Sequence, residues 1–281
     1  MWPDDHDGEN ELPGRPQPPA EEDHRRAAEA FSSLIASVQV QRAPELLCRA
    51  CVDLLPISGA SVSISGSRTA RALWCASDDT AARLAEAQYT LGHGPCQSAL
   101  DLAVPALAPD LTGGPDARRW PVFALQAVDL GARAVFALPL GTGASTLGTL
   151  DLYRDSPGPL SAGELRIALS ARDAVTFAVL SIEAAFDRAD PTGRAEVESW
   201  VDAAQADRVE VHQAIGMVMV QLGVHPEHAL DRLRARAFTQ GRTVTEVARE
   251  VLARTLCFRQ TDDDQARDRS RPGDEGGGDR S

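Results

Sequence analysis

The sequence predicts an α+β protein that ends in an all-α module, and three observations carry that prediction. Two pairs of strand-like runs, ASVSIS with RALWCA and RAVFALPL with STLGTLDLYR, read as antiparallel pairs of one sheet. Amphipathic helical patterns stand before, between and after them, which is the α+β order of elements. From about residue 205 the strand signal stops, and three helical patterns separated by two turn signals follow.

Taken in order, residues 1–22 are rich in Pro and Asp and nearly devoid of large apolar groups, as is the Gly- and Arg-rich tail 258–281. Burial cannot offset chain entropy in such segments, so both are expected to be disordered. The first folded domain is expected over 23–187. Its opening helix places Phe31, Leu34, Ile35 and Val38 on one face, and a second helix, PELLCRACVDLL, starts at Pro44 and stops at Pro56. The strands Ala60–Ser65 and Arg71–Ala76 come next, then a helix from Asp79 to Gln88, the loop LGHGPCQSAL and the short segment VPALAPDL. A helix around Val122–Leu130 precedes the second strand pair, whose GTGA connection is a hairpin signal. Ser161 with Glu164 forms a capping-box signature for a long closing helix through Val175, Val179, Ile182 and Phe186.

Composition narrows the function classes. The chain of 281 residues is 43% hydrophobic and 25% charged, which is globular and leaves room for two domains. No apolar run of about eighteen residues is present, so no membrane partner is expected. The acidic, Pro-rich N-terminus is the opposite of a secretory signal, which points to the cytoplasm. Every basic residue is Arg, so lysine nucleophiles and Schiff bases are excluded. Cys48 and Cys51 form a CxxC inside an amphipathic helix, with no second Cys or His pair at zinc spacing, and read as core packing rather than a metal site. His225 and His228 lack further ligands, no loop of the P-loop kind occurs, and no cofactor is expected. His93 and Cys96 stand together in the loop, but a Gly-Pro turn separates them and no carboxylate is near in sequence, so no catalytic residue is expected.

The C-terminal part has the opposite charge balance to the rest. Asp207–Arg259 holds eight Arg against six acids, whereas the remaining residues hold twenty against thirty-five. A locally basic helical unit on an acidic chain suits a polyanion partner. Asp190-Pro191-Thr192-Gly193 breaks the closing helix, and a helical linker is expected over 188–204. Apolar residues then recur at alternating steps of four and three: Val197, Val201, Ala204, Val211, Ile215, Val218 and Leu222, interrupted by Arg208. Such a 3.5-residue period predicts a helix–helix seam, here read as self-association into a homodimer. Gly216 sits mid-helix, where it suggests close approach of another backbone. Pro226 opens the next helix, which buries Ala229, Leu230, Leu233 and Ala237 and leaves Arg232, Arg234 and Arg236 outward. Thr243 and Glu246 form a capping box for a last helix with Val244, Val247, Ala248, Val251 and Leu252 on one face. Its outward positions include Glu246 and Glu250, which weighs against a DNA-reading helix because phosphate repels both. Phe238 reads as a core residue, with base stacking as the alternative.

Two resemblances follow from these residues. The order of helices and strands in 23–187, with the loop LGHGPC and a helix starting at Pro95, resembles a GAF domain; His93 stands where similar sensors usually have Glu. That likeness implies a sensor or dimerisation domain with an unknown small-molecule ligand. Residues 205–257 resemble the ANTAR domain, through Arg208, Gln213-Ala214-x-Gly216, Met219, Gly223, Ala229, Leu233-Arg234, Ala237 and Val247-Ala248. Two departures are visible: His225 occupies the N-cap position, where Ser, Thr or Asp caps better, and Ile215 replaces a commonly basic residue. The resemblance implies a transcription antitermination regulator that binds paired stem-loops in nascent RNA as a dimer. Arginine suits this partner, because its planar fork pairs with phosphate and stacks on bases. The residues expected to contact RNA are Arg208, Gln213, Arg232, Arg234, Arg236, Arg242 and Arg254. The alternative expectation is a small-molecule sensor whose helical tail binds DNA or a protein.

Overall fold

The computed structural model describes residues 25–26, 29–30, 33, 43–65, 71–142, 145–188 and 209–259. The expectations for 1–22, for the helix bearing Phe31, Leu34, Ile35 and Val38, for the linker beyond residue 188 and for the tail beyond 259 lie outside these residues. So do Val197, Val201, Ala204 and Arg208.

Helix α1 (Ala43–Leu54) leads into strands β1 (Gly59–Ser65) and β2 (Arg71–Ala76). Then follow α2 (Asp79–Leu91), α3 (Pro95–Leu102), β3 (Ala106–Ala108), α4 (Gly114–Arg119) and α5 (Pro121–Asp129). The hairpin β4 (Ala134–Thr142) and β5 (Ser145–Arg154) precedes the long helix α6 (Ala162–Arg188). The five strands form one sheet in the order β2-β1-β5-β4-β3. All pairings are antiparallel, and this is the α+β arrangement expected from the sequence.

Alternation along the strands divides the sheet into two faces. Phe136, Leu138 and Leu140 of β4 join Leu150 and Leu152 of β5, Val62 of β1, Leu47 and Cys51 of α1 and Val175 of α6 in one core. Val135 lies on the opposite face with Leu84 of α2 and Trp120, Phe123 and Ala127 around α5. Strand β4 is covered on both faces, which is why RAVFALPL is a continuous apolar run rather than an alternating one. Each fully buried Leu or Phe here contributes about 1.5–3 kcal/mol of transfer free energy.

Two elements escaped the sequence reading. Strand β3 is three residues long between Pro105 and Pro109 and is extended only because Leu107 pairs with Phe136 across the sheet edge. Helix α4 is six residues, too short to show a period. The capping box expected for α6 is present: Glu164 N–H donates to Ser161 Oγ at 3.2 Å, and Ser161 N–H donates to Glu164 Oε2 at 2.6 Å. The two CxxC thiols are buried as expected, with an addition: Cys48 Sγ lies 3.0 Å from Cys75 Sγ on β2.

After the undescribed stretch come a helix at 209–222, here α7, then α8 (Pro226–Gln240) and α9 (Val244–Leu252). Their packing continues past the expected boundary at 257. Phe258 packs on the module core, and its N–H donates to Gln221 Oε1 at 2.9 Å. No helix among the described residues is long and apolar enough to cross a membrane.

Candidate functional site

The three-helix module is built from short amphipathic pieces that fold only by sharing one core. Val211, Ala214, Ile215, Val218 and Leu222 of α7 meet Ala229, Leu230, Leu233 and Ala237 of α8 and Val244, Val247, Ala248 and Val251 of α9. Helix α9 has the complete capping box, with Glu246 N–H donating to Thr243 Oγ1 at 3.2 Å and Thr243 N–H to Glu246 Oε2 at 2.8 Å. His225 caps α8 with no side-chain hydrogen bond, in keeping with its poor suitability for that place.

This core takes up the described part of the expected dimer seam. Val211, Ile215, Val218 and Leu222 are all buried inside their own module and present no surface to a second copy. A four-turn helix shows the same 3–4 period whether its partner is another chain or two neighbouring helices, so spacing alone does not assign the contact. The outward stripe of α7 instead carries Val209, Gln213, Gly216 and Val220, the last 86% exposed. Close backbone approach at Gly216 is corrected too: a Cβ added there meets nothing within 4 Å.

The expected RNA contacts divide by environment. Gln213, Arg236 and Arg254 are exposed, and Arg232 is half-buried. Phe238 is 54% exposed rather than in the core, so the stacking alternative is the one its position permits. Arg242 is engaged within the module, with Nη1 2.7 Å from Glu250 Oε1 and Nε 3.9 Å from Glu246 Oε2. Arg249 pairs with Glu210 of α7 at 2.7 Å. Positive charge thus remains at the surface on Arg236 and Arg254, while Arg242 and Arg234 are engaged.

Arg234 is held by the other domain. Its side chain is 17% exposed. Nε–H donates to the carbonyl of Tyr89 at 3.0 Å, and the guanidinium carbon lies 5.4 Å from the Tyr89 ring centroid. Asp231 lies 3.6 Å away on the same helix. Burial lowers the Arg234 pKa, opposed by Tyr89 and Asp231. Tyr89 itself is buried in the module core, so the end of α2 plugs into the module. Beside it Val244 N–H donates to Thr90 Oγ1, and Thr245 Oγ1 donates to Glu86 Oε1, each at 3.2 Å. The left-handed Gly92 (φ 61°) ends α2, and a Cβ there would sit 2.8 Å from Arg234 Nη1. Nothing in one helix pattern signals this contact, because it joins residues 145 apart in sequence.

The opposite face of the N-terminal sheet holds a buried polar cluster. Arg71 Nη2 lies 3.7 Å from Asp151 Oδ2, with side chains 4% and 7% exposed. Burial pushes the Asp151 carboxyl up, and the Arg71 charge opposes it. Among the described residues, Arg71 Nη1 and Asp151 Oδ1 have no hydrogen-bond partner. Cys96 is fully buried, its thiol 2.9 Å from Thr149 Oγ1 and its N–H donating to Gln88 Oε1 at 2.7 Å. Burial raises the Cys96 thiol pKa, which keeps it protonated and unsuited to nucleophilic attack; His93 is exposed. The neighbouring cavity, lined by Ser61, Leu84, Gln88 and Asp151 among others, is about 10 Å³, enough for one water and not for an organic ligand in this conformation. Among the described residues no group of three or more His, Cys, Asp or Glu could hold a metal ion.

The described residues thus form an α+β domain in contact with a compact, arginine-bearing three-helix module. The comparisons with known proteins add the family of the second part. Residues 201–252 match the family model of the ANTAR domain. No curated protein matches the chain. Among solved structures the chain is similar to the GAF domain of a phosphoenolpyruvate-protein phosphotransferase from Coxiella burnetii. That match has 12% identity and TM-score 0.45, covering 59% of this chain and 98% of that one. The corresponding Acinetobacter GAF domain matches at 10% identity and TM-score 0.44, over 60% and 97%. A free methionine-R-sulfoxide reductase from Neisseria meningitidis, solved with its substrate, matches at 12% identity and TM-score 0.40, over 60% and 95%.

Proposed function

We propose that this chain is a signal-responsive transcription antitermination regulator that acts in the cytoplasm. In this reading the ANTAR domain holds paired stem-loops of a nascent transcript, and the GAF-like N-terminal domain senses a signal or mediates association. The observation that carries the reading is the ANTAR match over 201–252, within which Arg236, Gln213 and Phe238 are exposed, with the exposed Arg254 just past it. Stem-loop RNA is recognised by phosphate contacts and by bases splayed onto planar side chains, and this set supplies both kinds of group. With Arg242 engaged internally, few guanidinium groups per protomer reach phosphate. A homodimer on a two-loop RNA supplies the missing affinity through effective concentration. The outward stripe of Val209, Gly216 and Val220 is available for such association.

The test is a competition experiment. The full chain is bound to a fluorescent RNA of two adjacent stem-loops and challenged with unlabelled duplex DNA. The reading predicts that the RNA is retained against a large excess of DNA. Equal competition by DNA would favour a DNA-binding tail, and absence of RNA binding at low salt would favour a tail that binds protein.

A further inference from the structure

We propose that the N-terminal domain stores Arg234 out of reach of RNA, and that parting of α2 from α8 is the step that switches binding on. This rests on the RNA-binding reading above.

The storage site is specific to one side chain. Arg234 has one carbonyl acceptor, one aromatic ring and one carboxylate around it, which together imitate what a nucleotide offers: an oxygen acceptor, a planar face and negative charge. While Tyr89 occupies the guanidinium, a base or phosphate cannot. Phe238 lies one turn further along α8, on the same side of the helix as Arg234, and it is exposed. The surface offered to RNA is therefore divided at this point, with Phe238 open and Arg234 covered.

The contact is also built to part. Its polar bonds include Arg234 to the Tyr89 carbonyl, Val244 N–H to Thr90 Oγ1 and Thr245 to Glu86. Among the described residues, the large apolar group that crosses into the module core is the Tyr89 ring. Polar bonds around an aromatic plug resemble contacts between domains that move relative to one another. Signal has a short route to it. Gln88 precedes Tyr89 on α2 and accepts the N–H of Cys96, which sits beside the buried Arg71–Asp151 pair. A rearrangement in that cluster shifts the last turn of α2, and with it the carbonyl that holds Arg234. If the open form is a minor fraction of the population, the apparent affinity for RNA falls by that fraction.

The experiment uses the full chain and an RNA of two adjacent stem-loops, followed by fluorescence anisotropy over a salt series, with amide hydrogen exchange on the same samples. Gly92→Asn dislodges the stored side chain from the N-terminal side: Asn tolerates the left-handed conformation, and its Cβ would lie 2.8 Å from Arg234 Nη1, so the guanidinium must move. The expected result is faster exchange at the Val244 amide and RNA binding tightened about fivefold or more, the low end of usual coupling between sites. The slope of log affinity against log salt should steepen by about 0.7–0.9, as one more phosphate is neutralised. In an Arg234→Ala background, Gly92→Asn should give no tightening. Glu86→Ala with Thr90→Val removes two of the bonds without touching Gly92 and should act in the same direction. Unchanged affinity in both variants, with the Val244 amide deprotected and the wild type binding RNA, overturns the storage role and leaves the RNA reading intact. Failure of every variant to bind RNA, with the amide deprotected, overturns the RNA reading and this inference with it.

Discussion

Arg242 Nη1 lies 2.7 Å from Glu250 Oε1, so this guanidinium closes the turn between α8 and α9 instead of facing a ligand. Arg236, six residues earlier, is exposed. The two arginines should therefore fail in opposite ways. Arg242→Ala is expected to lower unfolding free energy by about 0.5–1 kcal/mol, the value of a well-made but partly exposed pair, with the RNA salt slope unchanged. Arg236→Ala should leave urea unfolding unchanged and reduce the slope by about 0.7–0.9. Reversal of this pattern would mean that the surface is misassigned.

Gly216 lies mid-helix with open space around its missing Cβ. Alanine there loses less backbone entropy on folding, so Gly216→Ala should raise stability by about 0.5–1 kcal/mol in chemical denaturation. A destabilised variant would show that another backbone does pack against this face. Sedimentation of the same variant, compared with Val220→Glu, reports on self-association: charge at the 86%-exposed Val220 should weaken any dimer that uses the outward stripe.

The capping boxes make stability depend on acid. The Thr243 amide and hydroxyl hold the Glu246 carboxylate below its ordinary value of 4.5 despite slight desolvation. Glu164 is likewise lowered by its bonds to Ser161 and Arg154, against a desolvation effect of opposite sign. A depressed folded-state pKa gives stability that is complete above the unfolded value and is lost as pH falls through the folded one. Thermal melts should therefore decline as pH drops below about 4.5, and Glu246→Gln should remove part of that decline in the module. An identical acid limb in the variant would contradict the assignment.

Asp151 and Arg71 form a buried pair in which each neutralises the other. Asp151→Ala leaves an uncompensated guanidinium in the core and should cost about 3–5 kcal/mol, whereas replacing both residues with leucine should recover much of the loss. Calorimetry of the single and double variants checks this. A single variant costing under about 1 kcal/mol would mean that water reaches the site.

Much of the fold was legible because local signals agreed with global packing. Thr243 with Glu246, Ser161 with Glu164, and the period of Val244 to Val251 each stated a helix start or a buried face, and each is found where the spacing put it. What stayed hidden was tertiary. Ala106–Ala108 is a strand only by virtue of its neighbour, β4. Val211, Ile215, Val218 and Leu222 show one period that fits two different partners, and Phe238 was placed inside because its type usually is. Among the arginines, Arg234 differs from Arg236 locally by its i,i+3 partner Asp231, but the sequence does not show the arrival of Tyr89 from the other domain.

The central claim is that the exposed part of the ANTAR surface grips RNA, and a salt-dependent titration tests it most directly. Full-length protein is titrated into labelled two-stem-loop RNA at rising salt, alongside a variant carrying Arg236→Ala and Phe238→Ala. The account predicts that the wild type binds with a steep salt dependence and that the variant binds weakly with a shallower slope. Equal affinity and equal slope for both proteins would contradict it.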